Sequence, residues 1–453
     1  MERNATQKLI DWNNNKRKKP LIVWGARQVG KTYLIKEIFA ETYYKNNYIY
    51  IDCKIEDEVR DFCSKTANAS KIIEYISLLK NKRITENTLL IFDEVQECPN
   101  IISSLKYFCQ DFREYPVIAT GSMVRIKLQR ETTKRGLADN NKFLFPVGKI
   151  NQLTIYPMTF DEFLLNNNKI LYETIANAYN NKSPLDNKIH ELTLEQVYLY
   201  LLLGGMPEAI STYIDTHNLF ESREILKVLY DNYLSDMDLY QASRESILRS
   251  RALFTNIYKE LNKENKNFTP GLIEKKTKTR DYATSIQWLT MAHIVNQSFQ
   301  LKEHITMPLM PDNDSYFRLF LGDIGMFSYQ SGINAASFVS NERDNTLSGI
   351  FFENFVANEL IAKGHKLFYW KGKTSSELEF IIESNNKLYP IDVKKNKGTL
   401  NSLKKFSEHN KFEFAIKVSK NNYGFDAEQK LLTIPFYFIP FIAKNLADGN
   451  LDV

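Results

Sequence analysis

The sequence predicts an α/β protein: a parallel sheet with helices on both faces in the N-terminal third, helical segments after it, and a smaller α/β region at the end. Three observations predict this. Short apolar runs alternate with helix-spaced segments up to about residue 155. A glycine-rich loop occupies 25–32, between the first apolar run and the first helical segment. Another apolar run ends in adjacent acids, Asp93 and Glu94. Alternating strands and helices are satisfied by a parallel sheet covered on both sides, and ligands bind at the carboxyl ends of its strands.

The first strand is expected at 21–24. It leads into Gly25-Ala26-Arg27-Gln28-Val29-Gly30-Lys31-Thr32, a complete G-x-x-x-x-G-K-[ST] loop, and then a helical segment at 33–39 that opens with Tyr33. Gly25 and Gly30 let the backbone wrap close to phosphate oxygens, and amide N–H groups at the helix start point at the anion. Lys31 is expected on the β- and γ-phosphates and the Thr32 hydroxyl on Mg²⁺. Residues 25–33 are thus the expected cradle for ATP. Further strands are expected at 48–52, 89–93, 117–120 and 152–155, with a helix at 100–113. Asp93 would orient a magnesium-bound water, and Glu94 would polarise the attacking water. Thr120 or Ser122, at the end of the fourth strand, would sit between these elements and touch the γ-phosphate or the lytic water. The segment around Trp12 is the expected neighbour of the adenine.

Composition sets outer bounds. The chain has 453 residues, which suggests about three domains. A hydrophobic content of 43% indicates a folded protein. The net charge of +5 permits contact with nucleic acid without arguing for it. The four cysteines, Cys53, Cys63, Cys98 and Cys109, form no CxxC pair, which fits a reducing cytoplasm better than a zinc site or a disulfide framework. The N-terminus lacks an apolar signal core, and 431–443 is too short to span a bilayer, so no membrane partner is expected.

Beyond the first region the texture turns helical. Thr159 is placed to cap a helix whose third position is Glu162. Segments 194–203, 219–239 and 246–261 have helical spacing, and Gly204-Gly205-Met206-Pro207-Glu208 breaks between helices. Around 269–295 a helix-turn-helix is expected, with strands at 301–309 and 316–321 as a wing. Its basic turn, Lys275-Lys276-Thr277-Lys278, either contacts phosphates or is a solvated loop. From 349 an amphipathic helix is expected, then a strand at 366–370, a turn at 373–375, and a hairpin of 377–382 with 388–393.

That hairpin carries acids and a lysine. Asp392 and Lys394, two apart on a strand, project from one face; Glu379 lies on the preceding strand with Glu377 sharing its face, and Glu353 lies on the upstream helix. Carboxylates around one divalent metal, plus a lysine beside water, make a site for phosphodiester hydrolysis. Solvated acid–lysine pairs across a hairpin produce the same pattern. The arrangement resembles the PD-(D/E)xK motif of restriction-endonuclease-like folds, with Glu379 before Asp392-Val393-Lys394 in place of Asp before Glu-x-Lys. The resemblance implies a second Mg²⁺ or Mn²⁺ held by Glu353, Glu379 and Asp392, with Glu379, Asp392 and Lys394 catalytic.

The order of motifs along the chain is informative in itself. To the glycine-rich loop and Phe92-Asp93-Glu94-Val95-Gln96 are added Thr120-Gly121-Ser122, 156–163, 204–208, 321–326 and 351–356. Together they resemble a prokaryotic AAA+ family of predicted ATPases fused to a C-terminal domain of unknown function, over nearly the whole chain. The resemblance implies a P-loop AAA+ core (1–165), a helical lid (166–244) closing over the nucleotide, a winged-helix module (245–335) and an α/β restriction-endonuclease-like domain (336–453). It makes Asp93 and Glu94 the acids of the Walker B segment and Thr120 or Ser122 the sensor-1 residue. Family members often carry Gly-Arg where this chain has Gly148-Lys149, which leaves Arg125, Arg130 and Arg135 as arginine-finger candidates. The expected activity is hydrolysis of ATP-Mg that drives or switches a C-terminal domain that handles or cleaves DNA. The alternative is a nucleotide-switched binding protein whose nuclease-like domain is inactive. AAA+ proteins usually work as rings, which implies a homo-oligomer through the AAA+ core; the Gly148-Lys149 departure leaves a monomer or loose assembly as the alternative.

Overall fold

The computed structural model describes residues 1–121, 145–241, 243–333, 349–372, 376–394 and 401–451. They form two compact units, one of 2–156 with 291–293, the other of 157–290 and 294–453 with Met1. The two units thus part at 156/157. The Thr159-capped helix belongs to the second unit, where Met158 N–H donates to Gly205 O at 2.6 Å.

The first unit is a five-stranded parallel sheet of β1 (Leu21–Trp24), β2 (Tyr48–Asp52), β3 (Leu89–Asp93), β4 (Val117–Thr120) and β5 (Asn151–Thr154), in the order β2-β3-β4-β1-β5. Every residue of β1, β3 and β4 is buried, which explains their continuous apolar runs. The edge strand β2 alternates instead. With β4 between β1 and β3, the chain leaves the sheet at Gly25, Asp93 and Thr120 along one end.

The helix after the glycine-rich loop, Tyr33–Ala40, is wound as a π-helix. Its buried residues, Leu34 with Ile35 and Phe39 with Ala40, repeat every five positions. A turn of 3.6 residues would split those pairs between faces, and the wider turn brings them together. Trp12, on the N-terminal helix Asn4–Asn14, is buried beside Phe39 and donates its indole N–H to Lys19 O at 2.8 Å. That places the Trp12 side chain in the core.

In the second unit, helices Phe160–Asn167, Lys169–Asn180, Asn187–Leu203, Pro207–Thr216, Leu219–Tyr240 and Arg244–Leu261 follow in order. Glu162 accepts the Thr159 N–H at 3.0 Å, as the capping pattern predicts. The break at 204–208 is also a packing joint. Asp323 accepts the Gly205 N–H at 2.6 Å and the Met326 N–H at 2.9 Å, so it ties this bend to the start of helix Ile324–Gln330. A Cβ on Gly325 would lie 2.4 Å from Leu203 O and 2.7 Å from Gly204 N. Burial pushes the Asp323 carboxyl up to about 6, against the opposing pull of the Gly205, Met326 and Gly325 amides.

The module expected after 245 shows helix Arg244–Leu261, single turns at Pro270–Leu272 and Thr279–Tyr282, helix Ala283–Met291, and antiparallel β6 (Val295–Leu301) and β7 (Phe317–Leu321). The strand expected at 301–309 is displaced to 295–301, because Pro308 and Pro311 cannot donate to a ladder. β6 also pairs in parallel with β8 (Leu367–Lys371), and β8 pairs with β9 (Glu377–Leu378), so one sheet crosses the boundary expected at 335/336. The last sheet joins β10 (Phe380–Ser384), β11 (Lys387–Val393), β12 (Ala415–Ser419), β13 (Gly424–Asp426) and β14 (Leu431–Pro435) in the order β10-β11-β12-β14-β13. Helix Gly349–Ala362, expected to be amphipathic, is buried on nearly all sides. The turn expected at 373–375 lies outside the described residues. Among the described residues no helix is long and apolar enough to cross a membrane.

The joint at Gly325 yields a comparison. Gly325→Ala should destabilise the chain by about 2 kcal/mol through overpacking against backbone that cannot yield. Gly271→Ala, where nothing lies within 4 Å, should stay within about 0.5 kcal/mol of the parent. Denaturation midpoints of the two variants check this; equal midpoints would contradict it.

Candidate functional site

The loop 25–32 takes a shape that its glycines permit. Gly25 has φ of 147° and Gly30 of 84°. A Cβ on Gly25 would fall 2.3 Å from Ile155 O. Gln28 also sits at positive φ, 62°. Arg3 holds the loop from outside, donating to Val29 O at 3.1 Å and to Tyr156 O at 2.7 Å. Lys31 is buried and its ammonium donates to Gly25 O at 3.1 Å and Ala26 O at 2.7 Å. Burial lowers its pKa to about 8, against the upward pull of Glu94 and Asp93.

Thr32 Oγ donates to Asp93 Oδ2 at 2.6 Å and joins the loop to the end of β3. The Tyr50 hydroxyl donates to the same oxygen at 2.9 Å. Burial and then the Asp93 charge raise the Tyr50 pKa, which keeps this hydroxyl a donor. Asp93 Oδ1 accepts the Glu94 N–H at 2.8 Å. Glu94 adopts a left-handed backbone with φ of 48°, and its carboxylate accepts a hydrogen bond from the Gln96 amide. Two hard oxygen donors, from Thr32 and Asp93, converge beside a buried ammonium and an anion-shaped loop. This donor set fits Mg²⁺ and a polyphosphate.

The sequence-predicted residues 25–32, Asp93 and Glu94 are therefore brought to one sheet end, while Tyr33, just past the loop, is half exposed. Thr120 lies between the two key strands as expected, but it is fully buried and donates to Val23 O at 3.3 Å. Its hydroxyl is thus directed to the sheet. Ser122, Arg125, Arg130 and Arg135 lie outside the described residues. Arg3, Tyr50 and Gln96 were not singled out by the sequence. Only Gln96 left a trace there, inside the Phe92–Gln96 motif.

The C-terminal acids also come together, in company the sequence did not predict. Lys394 Nζ lies 2.7 Å from Asp392 Oδ1 and 3.3 Å from Glu379 Oε1, and Glu379 Oε2 accepts the Val393 N–H at 3.0 Å. Lys266 Nζ lies 2.6 Å from Glu353 Oε1 and 3.9 Å from Glu377 Oε1. Arg318, buried, pairs with Glu377 at 2.5 Å, and its guanidinium lies 3.9 Å from the Tyr369 ring centroid. Burial pushes Glu379 up to about 7, with Asp392 adding to the shift and Lys394 opposing it. Burial likewise raises Glu353, while for Glu377 the pull of Arg318 and Lys266 outweighs burial and leaves it below the usual range.

Among the described residues no group of three or more His, Cys, Asp or Glu side chains is arranged to hold a metal ion. The second Mg²⁺ or Mn²⁺ expected between Glu353, Glu379 and Asp392 does not fit this arrangement, because two lysine ammoniums already engage those carboxylates.

Known proteins resemble parts of this chain. A family model described as an AAA domain matches residues 17–164. Two domains of unknown function match further along, DUF8612 at 194–337 and DUF4143 at 348–437. The uncharacterized protein MJ1637 of Methanocaldococcus jannaschii is 26% identical over 215 residues, which are 45% of this chain and 41% of that protein. The match thus spans well under half the length of that curated relative. Among solved structures, the Walker-type ATPase PABY2304 of Pyrococcus abyssi is 15% identical over 72% of this chain and 95% of its own, with a TM-score of 0.42. The Aeropyrum pernix Orc1 protein in complex with DNA is 11% identical over 74% and 92%, with a TM-score of 0.28. The AAA match makes the N-terminal region an AAA-type, nucleotide-binding ATPase domain.

The low pKa of Lys31 has a consequence for binding. Phosphate selects its ammonium form, so below about pH 8 the lysine is charged with or without nucleotide and affinity is flat. Above that pH a proton must be taken up, and Mg-ATP affinity should fall about tenfold per pH unit. Titration with a fluorescent ATP analogue from about pH 6.5 to 9.5 measures this; a profile flat to the alkaline end would remove Lys31 from the phosphate contact.

Proposed function

We propose that the protein hydrolyses ATP-Mg at residues 25–32, Asp93 and Glu94, and that this switches a C-terminal domain which handles DNA without cutting it. The observation that carries the first half is the 2.6 Å Thr32–Asp93 hydrogen bond, which locks the phosphate loop to the acid strand. Lys31 would exchange the carbonyls of Gly25 and Ala26 for phosphate oxygens. Thr32 and Asp93 would hold Mg²⁺, which when bound neutralises charge on the phosphates. Glu94, anchored by Gln96, accepts the proton of the attacking water. Thr120 acts indirectly, by fixing β4 against β1. An arginine from a neighbouring copy would complete the site, which makes a homo-oligomer part of this reading; Lys149 cannot supply a guanidinium fork. Four buried free thiols suit a reducing cytoplasm.

DNA handling is supported by the element order from 244 to 321, helix, two short turns, helix and an antiparallel strand pair, which is compatible with the winged helix expected there. Lys275, Lys276 and Lys278 are exposed on its turn, free to meet phosphates. The mixed sheet carrying Glu379, Asp392 and Lys394 is consistent with a restriction-endonuclease-like fold. The absence of cutting is supported by the ion pairs of Lys266 and Lys394.

Three measurements test this. Glu94→Gln should keep Mg-ATP binding and lose about a hundredfold or more in turnover; wild-type turnover would exclude Glu94. Replacing Lys275, Lys276 and Lys278 with alanine should weaken duplex binding and flatten its salt dependence, with ATP hydrolysis retained; unchanged binding would sink the winged-helix contact. Plasmid and single-stranded DNA should stay intact with Mg²⁺ or Mn²⁺, with and without ATP. Cleavage that disappears in Asp392→Ala would overturn the non-cutting half.

A further inference from the structure

We infer that Lys16, Arg17, Lys19, Arg113 and Lys149 form a contact surface for duplex DNA on the ATPase unit itself, at the opposite end of its strands from the nucleotide loop. On the reading that this chain handles DNA, on which this inference rests, the surface is a contact separate from the Lys275-Lys276-Thr277-Lys278 turn.

Three neighbouring strands begin at this end of the sheet. In the order β4-β1-β5 they start at Val117, Leu21 and Asn151. Each is preceded by basic residues: Arg113 before β4, Lys16-Arg17-Lys18-Lys19 before β1 and Lys149 before β5. Because the strands are parallel, all three stretches fall at one end. Hydrogen bonds tie them together. Arg113 Nη2 donates to Arg17 O at 3.1 Å and Lys19 Nζ to Gly148 O at 2.8 Å. The Lys19 N–H donates to Asn151 Oδ1 at 2.9 Å, and the Asn151 N–H to Pro20 O at 2.9 Å. With neighbouring strands about 4.8 Å apart, the stripe runs about 10 Å across the sheet end.

What these cations lack is an anion. Arg113 and Lys19 donate to neutral carbonyls, which accept a hydrogen bond without cancelling the charge. Among the described residues none of the five has a carboxylate partner. Lys16, Arg17 and Arg113 are exposed, while Lys19 and Lys149 are half-buried. Lys18 is occupied elsewhere, with its ammonium on Asn13 O at 2.9 Å. The acids on the same stretches are Asp111 and Glu114, exposed on either side of Arg113, and two acids do not neutralise five cations. A duplex carries one phosphate charge per about 1.7 Å of axis, so a stripe of this length faces about six. The surface also lacks the apolar centre of a protein interface. On the stretches that form it, Val147 alone among the described residues is a large apolar side chain left exposed. Contacts with DNA are instead polar, strongly basic and wet.

The test uses the full chain and a fluorescent DNA duplex, with anisotropy read between about 50 and 200 mM salt. Lys16→Ala, Arg17→Ala and Lys149→Ala are combined, because these side chains hold no hydrogen bond among the described residues and their loss leaves the sheet end tied. Affinity at about 100 mM salt should fall at least about tenfold, and the slope of log affinity against log salt should become shallower by about 2 to 3. Arg17→Ala alone should take about 1 from the slope, and it decides the matter if the triple variant is unstable. A second triple variant, Lys54→Ala, Lys65→Ala and Lys71→Ala, loses the same charge elsewhere on this unit and should bind within about twofold of the parent. Unchanged binding by the stripe variants, or equal weakening in both triple variants, overturns the inference. The variant with alanine at 275, 276 and 278 is read in the same assay. Loss there with none in the stripe variants overturns this inference alone, loss in the stripe variants alone removes only the winged-helix contact, and a parent that binds no duplex overturns both. Sedimentation with phosphatidylserine vesicles runs beside it; stripe-dependent vesicle binding by a chain that ignores duplex overturns the inference in favour of a membrane surface.

Discussion

Lys31 shows the constraint that organises this molecule. An ammonium taken out of water must be surrounded by oxygen, and here the glycine-rich loop folds back so that its own carbonyls do this. The loop can fold back because Gly25 and Gly30 accept positive φ, and it stays in place because Thr32 reaches Asp93 and Arg3 reaches Val29. The parallel register of β1, β4 and β3 then becomes functional, since it aligns the strand ends that carry these groups. The C-terminal cluster obeys the same constraint with other partners. There buried carboxylates and the buried Arg318 guanidinium are paired with charges of opposite sign.

Much of this was legible in the sequence because it is local. The G-x-x-x-x-G-K-[ST] spacing, the apolar run before Asp93 and the Thr159–Glu162 pair each encode their geometry within a few residues. All five strands of the first sheet lie where the apolar runs place them, within a residue at their ends. The hairpin that brings Glu379 opposite Asp392 could be read from its period and its Ser384–Lys387 turn.

What the sequence did not reveal depends on long-range contact. Lys266 is 87 positions from Glu353, and no spacing rule joins them. Arg318 reads as one charge in an apolar strand until Glu377 and Tyr369 are seen around it. The burial of Trp12 against Phe39 is likewise a packing fact that its letter alone does not carry. The winding of Tyr33–Ala40 was missed because a five-residue burial repeat resembles a helical one over so short a stretch.

The joint between 204–205 and 323–325 bears on how the chain can be divided. Gly205 and Asp323 are 118 positions apart, yet one carboxylate serves as the anchor of one bend and the start of a distant helix. A fragment that ends near the boundary of the 194–337 match keeps both partners, while one cut at 244/245 separates them. Excising the helices after 160 as a transplantable part would leave Gly205 without its acceptor and Asp323 without the Gly205 donor. The piece that can be moved intact is set by this pairing, and it is longer than the run of helices suggests.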